Sequence, residues 1–210
     1  MFCVYGISYT LTYYNTLVTS PFYLNEVLHV DAQTISLITL GLSLTVAFTA
    51  IFFSWFFQWL DSYISWLTCR MIFTIFPMII QMVVFLAFPW IETTGGATFL
   101  LVLSTIAAST LFSGSVVTSN MEIDPVNGPV VLSLFNGSAQ IAGFLGPILM
   151  AVFTDTEDKK AGWDKFFYAM AGSAALGIVS IVFSLWVNPS EWKNRSKSGE
   201  PYRVRKGLPK

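Results

Sequence analysis

Of 210 residues, 54% are hydrophobic and only 11% are charged, and the formal net charge is −1, where soluble domains carry about 25% charged residues. Mean hydropathy is +0.64. Lys and Arg are absent from residues 1–69 and again from residues 71–158, which excludes an ordinary water-facing surface and, with it, a basic nucleic-acid interface.

Six apolar stretches follow one another, at residues 3–24, 35–60, 66–88, 97–118, 130–154 and 163–187. Roughly 20 apolar residues cross a bilayer as a helix, and no stretch alternates as a barrel strand would. The fold class expected is an all-α integral membrane domain of six transmembrane helices over residues 1–187. A basic tail, residues 188–210, reads as disordered.

The first stretch lacks a basic n-region and carries polar residues throughout, so it is not a cleavable signal peptide. Tyr9, Thr12, Asn15, Thr16 and Thr19 recur at three- and four-residue spacing, which gathers them on one helical face. Pro21 then removes a backbone donor and permits a kink. Two readings stand for this face: a helix–helix contact, to which hydroxyls and amides contribute modestly, or the wall of a solute path.

The second stretch closes with Gln58, and Asp61 opens the turn after it. In the third, Arg70 lies four residues in and reads as snorkelling to the interface beside Trp66, with contact to a substrate anion as the other reading. The fifth, "PVVLSLFNGSAQIAGFLGPILMAVF", sets Asn136 and Gln140 one turn apart, with Gly143 and Gly146–Pro147 downstream. A buried amide is costly unless paired, so Asn136 is expected to meet another helix, water or a solute, while Gly–Pro lets the helix bend.

Trp55, Trp59, Trp66, Trp90, Trp163 and Trp186 stand near span ends, where an indole anchors at the interface. Cys3 and Cys69 give no metal spacing or disulfide framework, and His29 beside Asp31 reads as a solvated loop residue. No nucleophile–base pair, phosphate loop or metal cluster is visible. An enzyme is therefore not expected, nor is a cofactor.

Lys193, Arg195, Lys197, Arg203, Arg205, Lys206 and Lys210 crowd the tail. Basic residues are retained on the cytoplasmic side, which puts the tail, and with six spans the N-terminus as well, in the cytosol. Asn194 in "NRS" is then expected to stay unglycosylated.

"SYTLTYYNTLVTSPFYLNEVLHV", residues 8–30, resembles the seventh helix of the anion and phosphate transporter family within the major facilitator superfamily, the family of sialin and the vesicular glutamate transporters. The Tyr13–Tyr14 pair, Pro21, Tyr23 and the Glu26–Val27–Leu28 ending carry the likeness. "NMEIDPVNGPVVLSLFNGSAQIAGFLGP", residues 120–147, is similar to the loop and eleventh helix, with Glu122 in place of the loop's acidic residue. "GWDKFFYAMAGSAALGIVSIVFSLW", residues 162–186, resembles the twelfth helix.

The resemblance covers the C-terminal half of a twelve-helix fold, and it departs from the family at several positions. Tyr9 stands where some vesicular members have a basic residue, Asn120 where the loop has histidine, and Phe57 where the turn after the eighth helix has glycine.

The likeness implies one half of a secondary active transporter for a small organic anion or phosphate, coupled to a sodium ion or a proton. It also implies two three-helix inverted repeats, in a plasma, vesicular or lysosomal membrane. Tyr13, Asn15, Thr16, Asn136 and Gln140 would line the solute cavity. Pro21, Gly143, Gly146, Pro147, Gln58, Asp61 and Glu122 would serve hinge or gating roles. Such a half, from a truncated product or an incomplete gene reading, needs an N-terminal half or a full-length relative to alternate. The other reading is a non-transporting membrane protein acting through helix contacts.

Overall fold

Where side chains on every side are apolar, the backbone has no water to bond and must satisfy itself, and the helix does so within one segment. A computed structural model describes residues 2–61, 63–64, 66–111 and 128–187, which are almost wholly helical and contain no strand among the described residues. Asn120, Glu122, Asn194 and the basic tail lie outside them, as do the side chains of Asp61, Trp66, Arg70 and Trp186.

The first expected span is helical from Phe2 to Glu26 in three consecutive pieces: α1 (Phe2–Tyr14), a π-helical turn (Asn15–Thr19) and α2 (Ser20–Glu26). Then come α3 (Ala32–Asp61), α4 (Trp66–Ala87) with a 3-10 turn at Phe88–Trp90, α5 (Thr94–Leu111), α6 (Gly128–Thr154) and α7 (Lys159–Val187). Among the described residues five single helices are long and apolar enough to cross a membrane; the three-piece segment, the first of the six expected spans, is helical but is not one of them.

Its chain leaves α2 by an abrupt turn. The Val30 N–H returns to the Leu24 carbonyl at 3.0 Å, and His29 takes a φ of 51°, a left-handed position usually given to glycine. Asp31 then starts α3, its carboxylate accepting the Thr34 N–H at 2.9 Å. That bond holds the Asp31 carboxyl below the usual range.

Each helix has a counterpart. α1 packs on α6 and α7, α5 packs on α3 and α4, and α4 meets α7. Exchanging α1 with α5, α3 with α6 and α4 with α7 returns the same set of contacts, as two three-helix repeats require. Burial follows the same pairing: α3 and α6 are the least buried of the long helices, at 6% and 22% of their apolar windows. They flank the bundle rather than fill it.

One end is closed by aromatic rings. Tyr23 meets the edges of Phe88, Trp163 and Phe167 with centroids 5.7, 5.5 and 5.0 Å away, within the range where such pairs attract. The Trp163 indole N–H donates to Glu26 Oε2 at 3.0 Å, and the Tyr23 hydroxyl donates to the Ile91 carbonyl at 3.5 Å. Lys160 meets Glu92 at 3.4 Å on the exposed rim.

These contacts bring the connections after the first and third spans and before the sixth to one end, as alternating spans demand. Trp163 is only 1% exposed, a core residue rather than the interfacial anchor its position suggests, because Glu26 supplies the polar partner that water would give. Trp55, Trp59 and Trp90 remain exposed.

Candidate functional site

The wide turn at Asn15–Thr19 has a local cause. Pro21 occupies the first turn of α2, where it offers no N–H and its ring crowds the preceding turn. Side chains then bond the carbonyls one turn back: the Asn15 amide donates to Leu11, the Thr16 hydroxyl to Thr12 at 3.0 Å, and the Thr19 hydroxyl to Asn15 at 2.6 Å. Such π turns recur at functional sites because they rotate neighbouring side chains out of helical register.

On the inner side of this turn lies a polar layer. The Thr12 hydroxyl meets Gln81 Oε1 of α4 at 2.7 Å, Thr16 meets Ser104 of α5 at 2.8 Å, and the Asn15 amide nitrogen meets the Met170 sulfur of α7 at 2.9 Å. The Tyr9 hydroxyl donates to the Ala108 carbonyl at 3.3 Å. Asn15, Thr16 and Gln81 are all buried. Among the described residues, Asn15 Oδ1, Gln81 Nε2 and Thr105 Oγ1 have no hydrogen-bond partner.

The outer side is built with α6. A Cβ added to Gly146 would stand 3.1 Å from Asn15 Oδ1, so the missing side chain is what lets the turn approach; one added to Gly143 would touch the Tyr14 ring at 3.8 Å. Nearer the start of α6, a Cβ on Gly6 would lie 2.8 Å from the Phe135 ring.

Asn136, Gln140, Gly143 and Pro147 follow at steps of four, three and four residues and form one stripe beside this contact. Asn136 and Gln140 are exposed, and no hydrogen bond joins either amide to another described residue. Beyond the stripe α6 turns apolar, with Leu134, Ile141, Phe144, Ile148 and Val152 exposed.

The expected cavity residues therefore divide. Asn15 and Thr16 point into their own bundle, Tyr13 is half-buried, and Asn136 and Gln140 stand on the open face. The structure joins Asn15 to Gly146 and Tyr14 to Gly143, but sets Asn15 and Thr16 on the far side of the α1–α6 contact from the two amides.

Of the hinge positions, Pro21 and Pro147 sit where each helix is weakened, and Gln58 is exposed near the end of α3. Phe57 is buried against Phe73 with centroids 5.3 Å apart. Sequence reading passed over Gln81 and Ser104, though an amide alone among apolar neighbours in "MIIQMVV" is itself a signal. No group of metal-ligating side chains occurs among the described residues.

The geometry thus offers a bundle with paired repeats and one open, uncharged polar stripe. The sequence profile of the Major Facilitator Superfamily matches residues 1–208. The chain belongs to the Major Facilitator Superfamily. It is a multi-pass membrane protein of a transporter family that handles small molecules, and the paired three-helix sets are one half of that superfamily's fold. A search of curated proteins finds no match. Members of the superfamily bind solute near the bilayer midplane at the interface between repeats and expose it alternately to either side.

Proposed function

We propose that this chain is the C-terminal half of a secondary active transporter that moves a small organic anion or phosphate by alternating access, coupled to a sodium ion or a proton. The observation that carries the reading is the pair Asn136 and Gln140, exposed and without a hydrogen bond to another described residue, on a helix whose neighbouring exposed arc is apolar. Hydrocarbon gives such amides nothing to bond, and leaving them there is costly, so this face belongs against water, solute or a second six-helix half. The resemblance at residues 8–30 and 120–147 supports the anion or phosphate class. Crowded basic residues in the tail support cytosolic termini.

Uptake by the twelve-helix assembly, reconstituted in liposomes, tests this. Asn136→Ala is expected to lower uptake about 5- to 150-fold, the equivalent of roughly 1 to 3 kcal/mol for a lost directing group at a desolvated site, with unchanged protein yield. Poor accumulation with normal transport by the surviving fraction would make Asn136 a packing amide.

Phe57 favours a second reading. Its ring fills the α3–α4 contact, where the resembled family places glycine, and a wedged contact slides less freely. That suits a chain which keeps the scaffold and pairs with a full-length relative without transporting. Uptake absent from the assembly with Phe57 and restored by Phe57→Gly would speak for this second reading; uptake that is present with Phe57 and unchanged by Phe57→Gly would speak for the first.

A further inference from the structure

α2 is a short arm between two interruptions of the helix. The wide turn at Asn15–Thr19 and Pro21 stand at its start, and beyond its end the chain reverses through His29, whose φ is 51°. One face ties the arm to the bundle. Tyr23 and Glu26 lie one turn apart and both meet Trp163 at the start of α7: the Tyr23 ring with centroids 5.5 Å apart, and Glu26 Oε2 by accepting the indole N–H at 3.0 Å. Phe22 and Asn25, elsewhere on the arm, are exposed.

The two contacts depend on different conditions. Ring packing is indifferent to acid, whereas the hydrogen bond is not, because an indole can only donate and bonds to an ionised acceptor are about twice as strong as neutral ones. Trp163 is 1% exposed, so water does not replace the glutamate while the rings stay packed. A buried donor whose acceptor weakens costs stability.

We infer that Glu26 and Trp163 form an acid-sensitive latch: the carboxylate keeps α2 folded against α7 at neutral pH, and its protonation lets the arm open about the π turn and Pro21. Opening of the arm is a property of this half alone, so the test needs no transport. Other titratable or charged groups stand near on the surrounding elements: Asp164 and Lys160 on α7, Glu92 after the 3-10 turn, and His29 and Asp31 in the turn beyond α2. Lys160 is engaged by Glu92 at 3.4 Å, Asp31 by the Thr34 N–H at 2.9 Å, and Asp164 lies close enough to Tyr23 to act on its hydroxyl. Residues 32–60 of α3 and 94–111 of α5 carry no charge.

Hydrogen exchange of the whole chain in nanodiscs, read by mass spectrometry from about pH 7.5 to about pH 4, spans the range in which histidine and carboxylates titrate. Protection is taken relative to the intrinsic rate at each pH. On acidification the wild type is expected to lose about three- to tenfold protection over residues 22–28, with residues 98–108 of α5 unchanged. Glu26→Gln keeps the shape and removes the charge; it should show the acidic level at every pH. Trp163→Phe keeps a ring and removes the N–H, and should do the same. His29→Ala and Asp164→Asn should retain the wild-type response.

Protection over residues 22–28 that does not change with pH in the wild type would overturn the inference. So would a response that survives in Glu26→Gln, or one that vanishes in His29→Ala or Asp164→Asn, since another group would then be the sensor. Loss shared equally by residues 98–108 would overturn it as well, because the whole bundle rather than the arm would be loosening. If Trp163→Phe fails to accumulate, the Glu26→Gln profile decides.

Discussion

Glycine positions in this chain differ in what a side chain would meet, and that difference is testable one residue at a time. At Gly6 a methyl group would press on the Phe135 ring at 2.8 Å, while at Gly137 it would meet nothing within 4 Å. Overpacking of a tight contact costs about 1 to 3 kcal/mol. Gly6→Ala is therefore expected to lower the thermal midpoint in detergent, and Gly137→Ala to leave it unchanged or raise it through better helix propensity. Equal effects of the two would show that α1 and α6 are not in the close contact described.

Asp31 gives a pH-dependent case. The Thr34 N–H favours its charged form and lowers the folded-state pKa. Its contribution to the start of α3 is fully present above the unfolded value of about 3.9 and is lost as pH falls through the depressed folded value. Asp31→Asn stays neutral at every pH. The stability gap between wild type and Asp31→Asn, measured by thermal unfolding, should be seen at pH 7 and shrink towards zero below that folded value; a gap that widens on acidification contradicts the assignment.

Between elements, the Thr12–Gln81 pair shows how little of the packing was visible beforehand and why. Removing the Thr12 hydroxyl leaves a buried carboxamide with no partner among the described residues on either atom, whereas removing both groups leaves an apolar contact. Thr12→Val is expected to cost about 1 to 3 kcal/mol, and Thr12→Val with Gln81→Leu to recover most of it. Additive losses in a double-mutant cycle would mean that the two side chains do not depend on each other.

Five of the expected spans and the polar face of the first helical segment were legible, because hydropathy and helical spacing act along the chain. Which way that face points was not. Asn15 and Thr16 carry the chemistry of a solute site, yet Met170 and Ser104 wait for them inside the bundle, as Gln81 does for Thr12, and those partners lie 69 to 155 residues away in sequence. Tyr13 is half-buried and Tyr14 exposed, and Pro21 signals a kink without saying that the residues after Tyr14 take a wide turn. On α6 the reading held further: Asn136 and Gln140 do share a face, since an unbroken helix keeps its spacing.

At the scale of the whole molecule, the claim is that the stripe of Asn136, Gln140 and Gly143 faces an aqueous path while the arc of Phe144, Ile148 and Val152 faces lipid. Two helices with matching roles, α3 and α6, are left largely uncovered by their own half, and on α6 the boundary between polar stripe and apolar arc is only about one residue wide, since each residue advances 100° around a helix. The most direct test is labelling in native membranes. With Cys3 and Cys69 replaced by Ser and Ala, single cysteines are placed at 136, 140, 143, 144, 148 and 152 and treated with a membrane-impermeant thiol reagent from either side. The account predicts rapid reaction at 136, 140 and 143 and little at 144, 148 and 152. Equal reaction at all six, or reaction confined to the apolar arc, would contradict it.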